Sequence, residues 1–255
     1  MIDNKFPGKD ITTEDLKTKF PLAAKKNSKH KTIVKINDFE IGGKDMPIFA
    51  GPNMVESFEL MEKTAKFLKK HKLNFMRGGA FKPLTFPYRS SVYTETREKG
   101  IEYFRQAKFK NKTLIITELM ELKHLDLICE VADIIQIGAR NMQNFPFLTE
   151  VAKTKKPIML KRHFGASLRD LLGAAEYILV EGNKNLLLCE RGVVVPHTHL
   201  SSSRYLLDIT AIIALKEYTH LPIISDPSHA SFYAPWVPDL TMASIAAGAD
   251  GIMLE

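Results

Sequence analysis

Five cationic side chains stand at or just after the ends of short apolar runs, where they could act together on one ligand. They are Arg77, Lys82, Arg140, Lys161 and Arg191. A buried strand cannot end in charge unless that end opens onto water or an anion. Guanidinium and ammonium groups suit phosphate and carboxylate. One such residue would be an ordinary surface residue, but five at comparable positions predict a site for a small, multiply charged anion.

A second set of strand-end residues could bind a metal. His229 follows one strand, and Glu118 and Glu255 end two others. An imidazole and a carboxylate on neighbouring strands suit a divalent ion, although a lone loop histidine more often only forms hydrogen bonds. Asn53 ends the first strand of the series, where another ligand is expected, but an amide is a weak ligand for transition metals.

Other catalytic motifs are missing. The chain has no GxxxxGK[ST] or GxGxxG phosphate loop and no serine nucleophile elbow. The stretch His197-Thr198-His199 has no cysteine or carboxylate beside it, so we interpret it as a flexible loop.

Eight short apolar runs alternate with helical patterns, which predicts an α/β fold of the (β/α)₈ TIM-barrel class. The strands are predicted at 47–50, 74–76, 114–117, 134–137, 158–160, 186–189, 221–225 and 251–254. The helices are predicted at 57–71, 95–106, 122–132, 144–154, 168–181, 204–217 and 241–247. The sequence printed here stops at the eighth strand, so the final helix is expected to be absent.

Two domains are expected, an exposed N-terminal arm at 1–31 and a catalytic barrel at 32–255. The arm begins a helix at Thr12 or Thr13. The barrel is preceded by a β-hairpin formed by Thr32–Ile36 and Phe39–Ile41. A barrel without its last helix would expose apolar surface near its first and seventh helices. We expect the arm or a subunit interface to cover that surface.

Composition excludes several classes of protein. The chain has 255 residues and a net charge of +7, with 45% hydrophobic and 25% charged residues, and no run approaches the ~18 apolar residues of a membrane helix. The start carries no signal peptide, and the two cysteines, Cys129 and Cys189, are predicted to be buried free thiols in a reducing cytosol. The lysine-rich runs lack interleaved aromatic residues, so neither a membrane nor nucleic acid is an expected partner.

Longer motifs occur in the order found in one enzyme family. They are Ala50-Gly51-Pro52, Arg77-Gly78-Gly79-Ala80-Phe81-Lys82-Pro83, the stretch 136–145, Lys161-Arg162, Ala174-Ala175-Glu176-Tyr177-Ile178, Cys189-Glu190-Arg191-Gly192 and Asp226-Pro227-Ser228-His229-Ala230. From about Thr32 to Glu255 the chain resembles the 3-deoxy-7-phosphoheptulonate (DAHP) synthases, in the branch related to 3-deoxy-8-phosphooctulonate synthases. The resemblance implies a barrel enzyme of the shikimate pathway that condenses phosphoenolpyruvate with an aldose phosphate.

The resemblance also implies roles for individual residues. Arg140 and Arg191 would hold the phosphate of phosphoenolpyruvate, and Arg77 and Lys161 its phosphate and carboxylate. Lys82 would hold the carboxylate and act on the acceptor carbonyl, and Thr85 would contact substrate. His229 and Glu255 would bind a divalent metal such as Mn²⁺, with Asn53 at the position of the family's cysteine ligand. No organic cofactor is implied.

Several positions depart from the family pattern. Asn53 replaces the cysteine, and the usual aspartate ligand beyond the eighth strand is not in this sequence, so metal-dependent and metal-free reactions both stay open. Leu84 stands where an arginine grips the acceptor's phosphate, although Arg89 lies further along the same loop. His163 stands where glycine is usual. The half of the site for phosphoenolpyruvate is retained, and the half for the acceptor is rewritten.

Three interpretations therefore stay open. The chain is a synthase for erythrose 4-phosphate or for another aldehyde such as arabinose 5-phosphate. It is an impaired relative that binds phosphoenolpyruvate or a partner protein. It is a fragment of a longer protein. The resemblance favours the first, with a homodimer or homotetramer as the assembly.

Overall fold

The structure is a computed structural model that describes residues 11–82, 95–196 and 205–255. Eight parallel strands close into a barrel in the order β10-β3-β4-β5-β6-β7-β8-β9. The barrel strands are β3 Ile48–Ala50, β4 Phe75–Gly78, β5 Leu114–Glu118, β6 Ile134–Ile137, β7 Ile158–Lys161, β8 Leu186–Glu190, β9 Ile223–Ser225 and β10 Gly251–Leu254. The prediction of a (β/α)₈ barrel is confirmed.

Helices surround the barrel and connect its strands. They are α2 Phe58–Lys70, α3 Glu98–Asn111, α4 Leu125–Val131, α5 Phe145–Lys153, α6 Leu168–Val180, α7 Ile209–Tyr218, α8 Pro227–Ser231 and α9 Val237–Ala246. The sequence did not predict α8. The predicted start of α9, at Thr241, was too late, because the helix begins at Val237 and has Pro238 in its first turn, where proline is tolerated. Helix α7 begins at Ile209, where the Asp208 carboxylate accepts a hydrogen bond from the Ala211 N–H.

Side chains alternate between the inside and the outside of the barrel. Phe75, Ile116 and Met159 pack in an inner cluster, whereas their neighbours on the same strands pack against the helices. Side chains two residues apart on a strand point to the same face. Arg77, Glu118 and Lys161, each two residues after one of these inner side chains, therefore also point into the barrel. The sequence therefore directs charged groups inward at one end of the barrel only.

A hairpin closes the opposite end. Strand β1, Val34–Ile36, pairs antiparallel with β2, Phe39–Ile41. Its apolar side chains belong to the inner cluster, and the Phe39 and Phe75 rings meet with centroids 5.1 Å apart. The predicted hairpin is confirmed, and it keeps water out of the amino end of the barrel.

The N-terminal arm packs on the barrel. Helix α1, Thr13–Thr18, is capped by Thr12 as predicted. The lysines near residue 30 are exposed, but Phe20, Ala23 and Ala24 are buried, so the expectation of an exposed arm was wrong for this segment. The Glu176 carboxylate on α6 accepts hydrogen bonds from the backbone N–H groups of Leu22 and Ala23, at 2.9 and 2.6 Å. The arm is held by partners that lie far away in sequence.

The apolar surface near the first and seventh barrel helices, α2 and α9, stays exposed. Phe67 on α2 and Met242 on α9 are 56% and 65% exposed, while the described part of the arm contacts α6 and α7. The prediction that a subunit interface covers this surface stays a prediction. Within the described residues, no helix has the length and apolar character needed to cross a membrane.

Replacing Glu176 with alanine should release the arm. The two N–H groups would lose their acceptor, and a lost hydrogen bond to a buried donor costs about 1–3 kcal/mol. Hydrogen exchange should accelerate at Leu22 and Ala23 in Glu176→Ala and stay unchanged in Glu150→Ala, which removes a surface carboxylate paired with Lys153. Equal protection in both variants would show that apolar packing alone holds the arm.

Candidate active site

A cavity of about 550 Å³ opens at the carboxyl end of the barrel strands. Its wall is formed by Asn53, Met54, Lys82, Glu118, Gln136, Gly138, Ala139, Arg140, Lys161, His163, Phe164, Arg191, Tyr205, His229 and Phe232. These residues come from the ends of seven strands, which is where TIM barrels place their active sites. The sequence prediction that separate strand ends meet at one mouth therefore holds in the structure.

Four of the five predicted cations line this cavity. Lys82, Lys161 and Arg191 are largely buried, and Arg140 is exposed at the rim. Arg77 lies behind the wall, where its Nη1 donates to the Pro52 carbonyl at 3.0 Å and approaches Glu255 Oε2 at 3.8 Å. Four cations against the single carboxylate of Glu118 make the wall strongly positive.

The carboxylate of Glu118 is a component that the sequence interpretation missed, because it considered Glu118 only as a metal ligand. Its Oε2 lies 3.2 Å from Lys82 Nζ and accepts a hydrogen bond from Gln136 Nε2 at 3.3 Å. Burial alone would raise the pKa of Glu118, but Lys82 and Lys161 outweigh it and hold that pKa below its ordinary value. Burial also lowers the pKa of Lys82. The pair is thus an ionised, fixed element of the wall.

Gly138 makes room for this carboxylate. A Cβ at position 138 would come within 1.8 Å of Glu118 Oε1, so no other residue fits without moving Glu118. The glycine of the Gly138-Ala139-Arg140 motif therefore has a packing role at the site.

A second buried ion pair lies deeper, between β7 and β9. Lys161 Nζ contacts the Asp226 carboxylate and lies 3.5 Å from Met253 Sδ. Although burial opposes its ionisation, contacts with His229 and Lys161 hold the pKa of Asp226 well below its ordinary value. Asp226 also accepts from the backbone N–H and Nδ1 of His229, at 3.0 and 3.1 Å. Burial lowers the pKa of His229 to about 3, so the imidazole is neutral with its proton on Nδ1.

The predicted metal ligands His229 and Glu255 lie close together, but few other ligands lie near them. His229 Nε2 is 3.2 Å from Glu255 Oε2, and Asn53 Oδ1 is buried without a hydrogen-bond partner. Within the described ranges, no group of three or more His, Cys, Asp or Glu could hold a metal ion. Arg77 already brings a positive charge to Glu255. One imidazole, one carboxylate and one amide oxygen beside a guanidinium do not fit a resident transition metal.

The Arg191 guanidinium has a buried donor that can bind an anion. Its guanidinium carbon lies 4.2 Å from the centroid of the Tyr205 ring, and Nη2 donates to the His229 carbonyl at 3.4 Å. Its Nη1 is buried, and no described residue accepts a hydrogen bond from it. A buried N–H without an acceptor costs free energy, which a phosphate or carboxylate oxygen would restore.

Arg162, next to Lys161, has a structural role. Its Nη1 donates to Glu190 at 2.8 Å and to Asp208 at 3.0 Å, and its Nε donates to the Ala166 carbonyl at 2.9 Å. These contacts link β7, β8 and the start of α7 and fix the loop that follows Lys161.

Some predicted residues do not enter the described site. Thr85, Leu84 and Arg89 lie outside the described residues, as do His197 and His199. Both cysteines are free, as predicted. Cys189 is buried inside the barrel, and burial raises its pKa to about 12.

Comparison with known proteins agrees with this geometry. Residues 24–255 match the model of the DAHP synthetase I family. The chain belongs to this family. A phospho-2-dehydro-3-deoxyheptonate aldolase from Thermotoga maritima is 38% identical over 257 residues, covering 100% of this chain and 74% of that protein. A 2-dehydro-3-deoxyphosphooctonate aldolase from Desulfosudis oleivorans is 29% identical, covering 88% of this chain and 84% of that protein.

Solved structures of the DAHP synthetase I family share the fold. A truncated 3-deoxy-D-arabino-heptulosonate 7-phosphate synthase from Thermotoga maritima superposes with a TM-score of 0.83 at 38% identity, covering 93% of this chain and 84% of that one. A longer DAHP synthase chain from the same organism gives a TM-score of 0.83 at 39% identity, and our chain spans only 66% of it.

Truncating Arg191 should weaken anion binding. We expect Arg191→Ala to bind inorganic phosphate about 10- to 100-fold more weakly, because hydrogen bonds to charged groups contribute ~1.5–3 kcal/mol. Calorimetry would measure the dissociation constant. The control is Arg105→Ala, which removes an exposed arginine that pairs with Glu130. Unchanged phosphate affinity in a folded Arg191→Ala would place the anion elsewhere.

Asn53→Cys should create a metal site. A thiolate would join His229 Nε2 and Glu255 as a third strong ligand. We expect the variant to bind Mn²⁺ or Zn²⁺ at least ~10-fold more tightly than the parent protein, measured by competition with a chromogenic chelator. Tight stoichiometric binding by the parent would contradict our interpretation of the ligand set.

Proposed function

We propose that this protein condenses phosphoenolpyruvate with an aldose phosphate, giving a 3-deoxy-2-keto sugar acid phosphate and inorganic phosphate. The observation that carries this proposal is the cavity, where cations from the ends of four strands meet and Arg191 Nη1 has no acceptor among the described residues. A ligand with both a phosphate and a carboxylate uses such a wall fully. Family membership and the names of the relatives support the same reaction.

We propose one orientation for phosphoenolpyruvate in this cavity. Its phosphate would lie among Arg140, Lys161 and Arg191, which follow three successive strands. Its carboxylate would meet Lys82, with Arg77 adding positive charge from behind. C3 of the enol then faces the open side near Asn53 and His229, where an aldehyde can approach.

The reaction needs charge to be stabilised at fixed places. C3 forms a bond to the aldehyde carbon, and the aldehyde oxygen takes a proton. Water adds at C2 and loses a proton, and the C2–O bond to phosphate then breaks, leaving the ketone and inorganic phosphate. Lys82 is placed to protonate the aldehyde oxygen, because burial lowers its pKa and eases proton release. The fixed cations stabilise the developing negative charge without reorganising.

A divalent metal is not needed for these steps. The ligand set does not fit one, and we route no step through it. Neutral His229, oriented by Asp226, has its Nε2 lone pair 3.2 Å from Glu255 Oε2, and both atoms can accept a hydrogen bond from the incoming water or hydroxyl.

Erythrose 4-phosphate is the acceptor that we propose. The curated relative with 38% identity is named for the heptonate product, whereas the octonate enzymes are 27–29% identical. With Leu84 in place of the family's arginine, the acceptor's phosphate needs another partner, so arabinose 5-phosphate is the competitor to test.

Phosphate release tests the function. Chelator-treated protein with phosphoenolpyruvate and erythrose 4-phosphate should release phosphate, and Mn²⁺ should change the rate little. Faster release with arabinose 5-phosphate would reassign the acceptor. Release that strictly requires Mn²⁺ would overturn the metal-free mechanism, and no release from protein that binds phosphoenolpyruvate would favour a ligand-binding relative.

A further inference from the structure

His163 is a wall residue whose role the proposed reaction leaves open. It lines the cavity, two residues beyond Lys161 on the same strand end. The family resemblance places glycine here, so no role can be transferred from relatives. An imidazole in a wall that is rich in cations adds one more donor of hydrogen bonds.

The loop holds the imidazole in one orientation. His163 Nδ1 accepts a hydrogen bond from the Gly165 N–H at 3.1 Å. The His163 carbonyl accepts from the Ala166 N–H at 3.0 Å, and Arg162 grips the Ala166 carbonyl. Since Nδ1 is the acceptor, the proton of the neutral ring must lie on Nε2. No partner of Nε2 is recorded among the described residues, so this N–H is available to a ligand.

The neighbours of His163 place it beside the phosphate half of the site. Its backbone N–H contacts the Sδ of Met142, which lies on the loop that carries Arg140. On the other side, its ring packs 4.0 Å from the Phe164 ring, and Phe164 stacks at 5.3 Å on Tyr205. Tyr205 in turn lies under the Arg191 guanidinium. These contacts connect His163 to the loop that carries Arg140 on one side and to Arg191 on the other, and all three residues line the same cavity.

We propose that His163 is a substrate-binding residue that donates its Nε2–H to a phosphoryl oxygen of phosphoenolpyruvate. This inference rests on the proposed function for the identity of the ligand, but on the geometry of the loop for the donor. The hydrogen bond adds to Arg140, Lys161 and Arg191 and acts on the phosphate, which is also the group that leaves. It does not act on the carboxylate near Lys82.

Two substitutions separate binding from loop structure. Asparagine places a carbonyl oxygen where Nδ1 lies, so His163→Asn keeps an acceptor for the Gly165 N–H in a local turn. The same variant loses the donor at the position of Nε2. Glutamine places an amide N–H near the position of Nε2, so His163→Gln keeps the donor and loses the turn. A purely structural role predicts that asparagine substitutes better, whereas phosphate binding predicts that glutamine does.

Calorimetry on the full chain would measure dissociation constants for inorganic phosphate, phosphoenolpyruvate and pyruvate, which lacks the phosphate. We expect His163→Asn to bind phosphate and phosphoenolpyruvate about tenfold more weakly or worse, with pyruvate unchanged. His163→Gln should keep most of the affinity. His71→Asn, at the exposed end of α2, should behave like the parent protein.

Other results would overturn the inference. Equal affinities in both His163 variants, the reverse order, or a loss that includes pyruvate would each show that His163 does not contact phosphate. A parent protein that binds neither phosphate nor phosphoenolpyruvate would refute this inference and the proposed function together. Failure to release phosphate with any aldose phosphate, while the asparagine and glutamine variants keep the expected order, would refute only the proposed function.

Discussion

The buried ion pair of Lys161 with Asp226 is the constraint on which the site depends. Neither side chain is more than 5% exposed, and an unpaired charge at that depth would be strongly destabilising. Asp226 must therefore stay ionised, and once ionised it fixes the proton of His229 on Nδ1. Lys161 in turn adds the charge that keeps Glu118 ionised. This one ion pair thus influences the protonation state of two neighbouring groups, His229 and Glu118.

A site that binds an anion must bring cations close together, although they repel one another, and these ion pairs reduce that repulsion. Cations packed together repel one another and favour neutral forms, and the charges of Arg77 and Lys161 add to burial in lowering the pKa of Lys82. Glu118 and Asp226 offset part of that repulsion, yet neither neutralises Arg191, whose Nη1 lacks a partner. The wall therefore keeps an excess of positive charge that only an anionic ligand balances. Because the strands hold the cations in place, the positive charge is already positioned before substrate binds.

The sequence predicted the strands and the cations well for one physical reason. Barrel strands are buried on both faces, so they appear as short apolar runs, and the charges that end them are conspicuous. It missed the pairing of these charges, because Lys82 and Glu118 lie 36 residues apart and Lys161 and Asp226 lie 65 apart. A usable signal was present, since both carboxylates also follow strands at inward-facing positions. The buried arm was missed because its anchor, Glu176, lies on a distant helix.

Two of the departures from the family pattern that the resemblance implies, at positions 53 and 163, share a chemical direction. Relative to that pattern, Asn53 presents an amide in place of a cysteine, and His163 presents an imidazole with an N–H donor in place of a glycine. The first weakens a site for a cation, and the second strengthens a wall for an anion. A dication near His229 would balance part of the charge of a bound anion, and without it more of that charge must be met by the cations and by hydrogen bonds. A donor at position 163 supplies one such bond at the phosphate, where an arginine would add further repulsion to an already crowded set of charges.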